Sequence, residues 1–517
     1  MRLPLFAAAL LILAPSARAQ DQLTGIFVPK IAVAADGSYA LAAEALFRPE
    51  GGGSEELMVI VQRYAPNGAL VGPMWRFDGE SCSTIDIWLD DFMHRPEIEF
   101  QPNGTLVVLM QHSGEFQIGV DGLQSSEITL AAVAPDGSVV DLDGRESCVQ
   151  QKLFFLNGGE QDRPRFDVSP TGDFFITADG FFNDSDFRNV AIKILDAAGN
   201  EVVDQVIPHD DPGSDQLYHM QPDIATNGQL VVSVWHECTF DDIPCDIAAQ
   251  FATVTAQGLQ VLGGNVTVNV GGPATLHLYP AVDMNAAGAS VIAWADARDG
   301  LHGEIYAQRF DAAGSPIGAN IKVSAGEGEL DARPEVALLD NGRFMVVWTD
   351  SSSGRYFARG RTFDAAGNPE GGTFLLAPNA VHSGQPAVVA DGNGFAYIYI
   401  SAGADEEYQI GSNKISSLTA AEDPALPDAE RLAITALYPN PFVGTAHVAW
   451  RAAESGTAVV RVFDLLGREV RRLVDHVTLP GTRTFTIDGN DLAPGVYFLE
   501  IRQGDERSVR KLVRAAE

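Results

Sequence analysis

Pro280-Ala281-Val282, then Gly288, then an apolar run ending in Trp294, then Ile305-Tyr306-Ala307-Gln308-Arg309-Phe310-Asp311-Ala312-Ala313-Gly314 form one sentence of sequence. A second copy follows at once: Pro334-Glu335-Val336, Gly342, a run ending in Trp348, and Thr362-Phe363-Asp364-Ala365-Ala366-Gly367. A repeat this regular decides the architecture before any other signal. Extended outward, it anchors on Pro29, Pro96, Pro164, Pro222, Pro280, Pro334 and Pro386, at spacings of 67, 68, 58, 58, 54 and 52 residues. Eight residues beyond each proline stands a turn glycine, Gly37, Gly104, Gly172, Gly288, Gly342 or Gly394; in the fourth unit Gly228 follows after six.

A β-rich run follows each glycine, and a third run ends in a second turn at Gly68, Gly137, Gly199, Gly258, Gly314 or Gly367. Short alternating runs punctuated by such turns read as strands. Four antiparallel strands per unit of 50–70 residues is a propeller-blade pattern. The fold class is therefore all-β: a seven-bladed β-propeller over 20–417, a linker over 418–430, and a small Ig-like β-sandwich over 431–517. The seventh unit lacks a fourth strand. The spare segment Leu23 to Val28 is expected to supply it and close the ring, removing two open sheet edges. Trp294 and Trp348 are expected to pack between blades rather than to stack on sugars.

The turns after strands one and three are short and uniform. The loops after strand two, and those joining units, are long and variable, and antiparallel strands put them together on the opposite face. Variable loops on a rigid frame are where function usually sits, so that acidic loop face is the expected working face.

Residues 1–19 read as a secretory signal: Arg2, the apolar Leu5 to Leu13, and the cleavage site Ala17-Arg18-Ala19. No later stretch reaches the apolar length of a membrane span. The expected address is the outer cell surface or the extracellular space, reached through the periplasm. Four cysteines meet an oxidising medium there. Three full pairings are possible; nearness in sequence favours Cys238–Cys245, which leaves Cys82–Cys148.

The formal net charge is −35. Residues 431–517 hold 12 Lys+Arg against 10 Asp+Glu, so residues 1–430 carry −37. Such a chain repels nucleic acid and anionic lipid. Calcium is the one cofactor the acidic loops suggest, through Asp184 with Asp186 and through Asp241, Asp242 and Asp246 near the expected disulfide; the competing reading is a solvated acidic turn. His94, His219 and His277 stand shortly before Pro96, Pro222 and Pro280, at positions expected to approach the channel mouth, with Asp90, Asp91, Asp215 and Asp331 in equivalent connections. No compact metal-ligand spacing, nucleophile elbow or nucleotide loop is present.

Tyr438-Pro439-Asn440-Pro441-Phe442 opens the last unit. It is followed by Val462 to Gly467, by Leu492-Ala493-Pro494-Gly495-Val496-Tyr497, and by Arg510-Lys511-Leu512-Val513. This succession resembles the carboxy-terminal sorting domain (type A) of the type IX secretion system of Bacteroidetes and their relatives. The resemblance implies that the secretion machinery is a partner, with Pro439, Asn440, Pro441, Gly467, Gly495 and Lys511 as motif positions. It also implies surface attachment or release of the cargo. The repeats resemble those of secreted bacterial propeller proteins, a scaffold that does not fix function. Sialidases also use propellers, but their Ser-x-Asp-x-Gly-x-x-Trp turns are missing here. The sequence thus reads as an exported, non-enzymatic protein that binds an extracellular protein, glycan or surface component. The alternatives are a polysaccharide hydrolase, glycosidase or sialidase-like, using loop-face carboxylates, and a structural envelope component.

Overall fold

The computed structural model describes residues 22–48, 56–77, 92–118, 121–136, 138–140, 150–153, 161–181, 188–206, 217–239, 244–255, 258–270, 276–298, 303–324, 333–351, 356–377, 380, 382–392, 394–402, 408–416, 433–438, 442, 445–452, 458–464, 468–474, 481–488, 492–493, 495–503 and 506–515. Among them there is no helix, and the chain divides into Met1–Leu418 and Thr419–Glu517.

The first unit is all-β and propeller-like. Its strands form seven antiparallel sheets, one for each proline anchor. Sheet one runs Gln22–Val33, Tyr39–Arg48, Glu56–Tyr64 and Leu70–Phe77 in that spatial order. The others repeat this meander from first strands at Phe92–Phe100, Gln161–Val168, Leu217–Thr226, His277–Met284, Glu335–Leu338 and His382–Asp391. Short turns are locked locally. The Asp311 carboxylate accepts the N–H groups of Ala313 and Ser315 at 2.9 and 2.8 Å, while Gly314 takes the positive φ of 76° that a side chain resists.

The core lies between sheets. Trp348 and Phe363 of sheet six pack with Ala293 and Ile305 of sheet five, and Trp294 and Phe310 of sheet five pack with Val234 and Phe251 of sheet four. Both tryptophans are fully buried, as expected of packing residues. Equivalent clusters join four to three, three to two, two to one, and seven to six. The last joins seven to one: Ala387, Ile398 and Ile400 meet Ile26, Leu41 and Ile60. The series of contacts closes on itself.

Closure differs from the expectation. Leu23 to Val28 does not supply a strand to sheet seven, which has three strands among the described residues, Gly394–Ala402 and Tyr408–Ser416 being the others. Instead Gln22–Val33 is one strand paired with Tyr39–Arg48. The reason is that six of the seven anchor prolines sit inside their strand rather than at its start; Pro334 directly precedes Glu335–Leu338. The ladder breaks at Phe27/Lys30, His94/Glu97, Asp162/Arg165, Met220/Asp223, Leu278/Ala281 and Gly384/Ala387. A bulge tolerates proline, which has no N–H for the ladder. A second departure is local: the positive-φ glycine of the seventh unit is Gly392, and Gly394 already begins the next strand.

In the second unit, Ala433–Tyr438, Thr445–Ala452 and Gly481–Asp488 form one sheet. Glu469–Val474, Ala458–Asp464, Gly495–Gln503 and Glu506–Arg514 form the other. Trp450, Val448 and Ile487 from the first share a core with Val462, Leu499, Ile501 and Leu512 from the second, a sandwich arrangement.

Candidate functional site

The bulges carry the site. The residue before each anchor proline has a positive φ: Val28 45°, Arg95 51°, Arg163 52°, Gln221 52°, Tyr279 55°, Arg333 37° and Gln385 47°. None is glycine, so each is strained and must be held. The holding bonds are visible. The Arg95 N–H donates to Glu44 Oε1 at 2.6 Å, that of Arg163 to Gln111 Oε1 at 3.1 Å, and that of Gln221 to Asp179 Oδ2 at 2.7 Å. The Gln385 N–H donates to Thr349 Oγ1 at 2.9 Å, and the Val28 N–H to Gln385 Oε1 at 2.7 Å. Each bond ties one sheet to the preceding one, and the last ties sheet one to sheet seven.

Charge converges on the same level, where the strands leave the long loops. Arg163 and Arg333 both lie within electrostatic reach of Arg95, as do Asp162 and Asp179, and Glu44 lies within reach of Arg95 and Arg333. Arg163 Nη1 lies 3.2 Å from Asp179 Oδ2; Arg188 Nη2 lies 3.1 Å from Asp179 Oδ1 and 2.7 Å from Asp162 Oδ2. Asp179 is fully buried, and burial pushes its carboxyl up against the pull of Arg163 and Arg188. Asp162 is held low by Arg188, Arg163 and Arg95 in spite of burial. Burial also pushes Glu44 up, only partly offset by the Arg95 N–H. Arg95 Nη1 is buried without a hydrogen-bond partner among the described residues. Exposed Arg333 lies over the Tyr279 ring, 4.8 Å from its centroid. Tyr279 in turn meets the edge of His236, whose imidazole burial and Arg163 push down to about 3, so it is neutral.

One residue past the prolines, four charges cross-link sheets one, two, three and six. Lys30 Nζ is 2.7 Å from Glu335 Oε1 and 3.1 Å from Glu97 Oε1; Arg165 Nη1 is 2.6 Å from Glu97 Oε1 and 3.3 Å from Glu335 Oε1. Burial alone would raise Glu335, but Lys30 and Arg165 outweigh it and hold the carboxyl at about 2. Asp223, one residue past Pro222, shares this level near Arg165, and Asp167, Glu99 and Asp283 lie two residues further along; burial pushes the four up to about 7, 6, 8 and 8. They accept backbone N–H groups: Asp167 from Thr226, Asp223 from Val282, and Asp283 from Leu338, at 2.7, 2.8 and 2.6 Å. Each of these three bonds staples one first strand to the next.

The residues singled out from sequence fall elsewhere. His277 is buried, with Nδ1 2.7 Å from the Cys245 carbonyl oxygen, 3.1 Å from Asn269 Nδ2 and 3.6 Å from Asp246 Oδ1. His219 is buried 3.4 Å from Glu237 and edge-on to Trp235. His94 pairs in the ladder with Gln111. Asp246 accepts a bond from Asn269 at 2.8 Å. Asp184, Asp186, Asp241, Asp242, Cys82, Cys148, Pro439, Asn440, Pro441 and Gly467 lie outside the described residues, as do Asp90, Asp91, Asp215 and Asp331. Among the described residues, no group of three or more His, Cys, Asp or Glu is arranged to hold a metal ion. What the sequence reading missed are the arginines. Their signal was available: Arg95, Arg163 and Arg333 each directly precede an anchor proline.

Cys238 and Cys245 form the expected disulfide between directly paired, buried positions of one hairpin. The bridge closes a short loop, so replacing both cysteines by serine should cost about 2 kcal/mol. Urea unfolding of the first unit checks this; an unchanged midpoint would contradict it.

The last unit explains its own motifs. Phe442 is buried, donates its N–H to Val513 O at 3.0 Å and accepts from Ala515 at 2.8 Å, which fixes the final strand. Leu492 is buried, and the Tyr497 hydroxyl donates back to the Ala493 carbonyl at 2.7 Å. Gly495 opens its strand, and Lys511 is exposed opposite Phe498. Residues 436–515 match the family model for the secretion system C-terminal sorting domain. The sorting domain marks the chain for export to the cell surface or extracellular space and implies use of the type IX machinery. Among the described residues, no helix is long and apolar enough to cross a membrane.

No curated protein matches the chain. Solved structures do. A protein of unknown function from Dyadobacter fermentans is 12% identical over 66% of this chain and 97% of its own, with a TM-score of 0.38. The α-L-arabinofuranosidase Arb93A of Fusarium graminearum is 12% identical over 66% and 93%, at 0.39. The Hadza microbial sialidase Hz136 is 13% identical over 74% of both chains, at 0.40. Likeness at this level bears on neither substrate nor mechanism.

Proposed function

We propose that residues 22–416 form a closed seven-bladed propeller, exported by way of an Ig-like sorting domain, that binds an extracellular glycan, protein or surface component at the loop-face mouth. The observation that carries this reading is the occupancy of the mouth carboxylates among the described residues. Asp162 and Asp179 are bonded to guanidinium groups, and Glu44 accepts the strained Arg95 N–H. Loop-face carboxylates farther out are tied in the same way: Asp296 to Arg298 and the Trp294 indole, Asp350 to Arg359. Most glycoside hydrolysis uses a pair of acids free to trade protons. Carboxylates committed to holding strands and guanidiniums suit a rigid binding surface instead.

A second reading, polysaccharide hydrolysis, rests on Glu44, the mouth acid outside the Arg163–Arg188 clamp whose carboxyl burial raises. The test is a screen of the mature chain against immobilised polysaccharides and extracellular proteins, with Arg333→Ala in parallel. Saturable binding weakened by Arg333→Ala is expected. Binding unaffected by that change would move the site away from the mouth, and no binding across the panel would sink the reading.

A further inference from the structure

We propose that the mouth takes a carboxylate group carried on a saccharide, held between Arg95, Arg163 and Arg333; this rests on the binding reading above. Three of the seven pre-proline positions, all with positive φ, carry arginine, in a chain of net charge −35. A random scatter of charge on so acidic a chain would not gather guanidiniums at equivalent positions around one opening. Among the described residues, Arg188 and these three arginines meet three carboxylates, Glu44, Asp162 and Asp179, a surplus of one positive charge that a single carboxylate balances. All four are arginine and none lysine, which suits the planar fork geometry of a carboxylate.

Two features point inward to a ligand rather than to neighbouring protein groups. Arg95 Nη1 is buried without a partner among the described residues. An unpaired buried donor on a charged group is costly, and a carboxylate oxygen satisfies it. Exposed Arg333 is held over the Tyr279 ring, 4.8 Å from its centroid, beside the same opening. Of the other four pre-proline positions, Gln221, Tyr279 and Gln385 offer amides and a phenol that suit sugar hydroxyls, and Val28 is apolar. An arginine patch of this kind could equally meet sulfate or phosphate oxygens; the single surplus charge favours the monoanion.

The test is calorimetric titration of the mature full chain with trigalacturonate, its methyl ester, sulfate and phosphate. Trigalacturonate is expected to bind saturably. Arg333→Ala and Arg95→Gln should each weaken it at least about tenfold, the value of a charge-assisted hydrogen bond, and the methyl ester should lose at least as much. Arg163 is not a useful position, because it also neutralises buried Asp179. If Arg95→Gln disturbs folding, exposed Arg333, tested as both Ala and Lys, carries the result alone. Absence of saturable binding, an ester that binds as tightly as the acid, tighter binding of sulfate or phosphate, or indifference to Arg333→Ala would each overturn the proposal. A neutral ligand from the wider screen that loses affinity on Arg333→Ala would leave the binding reading standing and remove only the carboxylate.

Discussion

Glu335→Gln should destabilise the first unit by about 3 kcal/mol at pH 7, because removing one member of a largely buried ion network strands the others. Lys30 and Arg165 would then share Glu97 alone. The four side chains keep 10–30% of their surface, so water softens the loss without abolishing it. The direction with pH is fixed. The Glu335 carboxyl is depressed to about 2, so its contribution is present above the ordinary glutamate range and is lost as pH falls through about 2. The gap between variant and parent should therefore close in acid. Urea unfolding at pH 7 and near pH 2.5 measures both. An equal gap at both pH values would mean that Glu335 acts through packing rather than charge. Replacing Lys30 by Met together with Glu335 by Leu should recover part of the loss, since apolar groups of similar volume often match a buried pair.

The second large effect has the opposite sign. Glu99, Asp283, Asp223 and Asp167 are pushed up to about 8, 8, 7 and 6, first of all by burial. Their folded forms hold protons that the unfolded chain has released. Stability from these groups is thus complete below about pH 4 and falls as pH rises through 6 to 8. Each residue is only half-buried, and this partial exposure tempers the burden to roughly 1–2 kcal/mol per group. Glu99→Gln should accordingly stabilise the protein at pH 8.5 by about 1 kcal/mol and leave it nearly unchanged at pH 5. Thermal unfolding across pH 5–9 reads this directly; a melting temperature that rises with pH over that range, or a Gln variant that is weaker at pH 8.5, would contradict it. Together the two effects place the stability maximum near pH 5, acidic of neutrality.

These charges show where the sequence was legible and where it was not. The period, the turn glycines and the packing role of Trp294 and Trp348 could be read because each is a local or repeated signal. The position of proline was misread. A proline before an alternating run looks like a strand start, yet Pro29 follows seven residues that already belong to the strand. Only the ladder shows that the proline fills a bulge, and the misreading produced the wrong closure for Leu23 to Val28. The lumen network was illegible for a different reason. Lys30, Glu97, Arg165 and Glu335 are up to 305 residues apart in sequence and meet only because the sheets come full circle. Aligned on the prolines they occupy one column, but a column of mixed charges has no meaning until geometry sets its members face to face. The histidines were visible as a pattern, and two of them are buried beside a disulfide carbonyl and a tryptophan. The sorting motifs were legible because Phe442 and Tyr497 act within one small sandwich.

The mouth is expected to bind its ligand without turnover. The measurement is to incubate the mature chain and its Glu44→Gln variant with acidic and neutral polysaccharides, and to quantify bound ligand and new reducing ends in the same samples. The parent chain is expected to bind saturably, and neither chain to release reducing ends above the protein-free blank. Reducing ends that accumulate with the parent chain and vanish with Glu44→Gln would contradict it and make the protein a hydrolase.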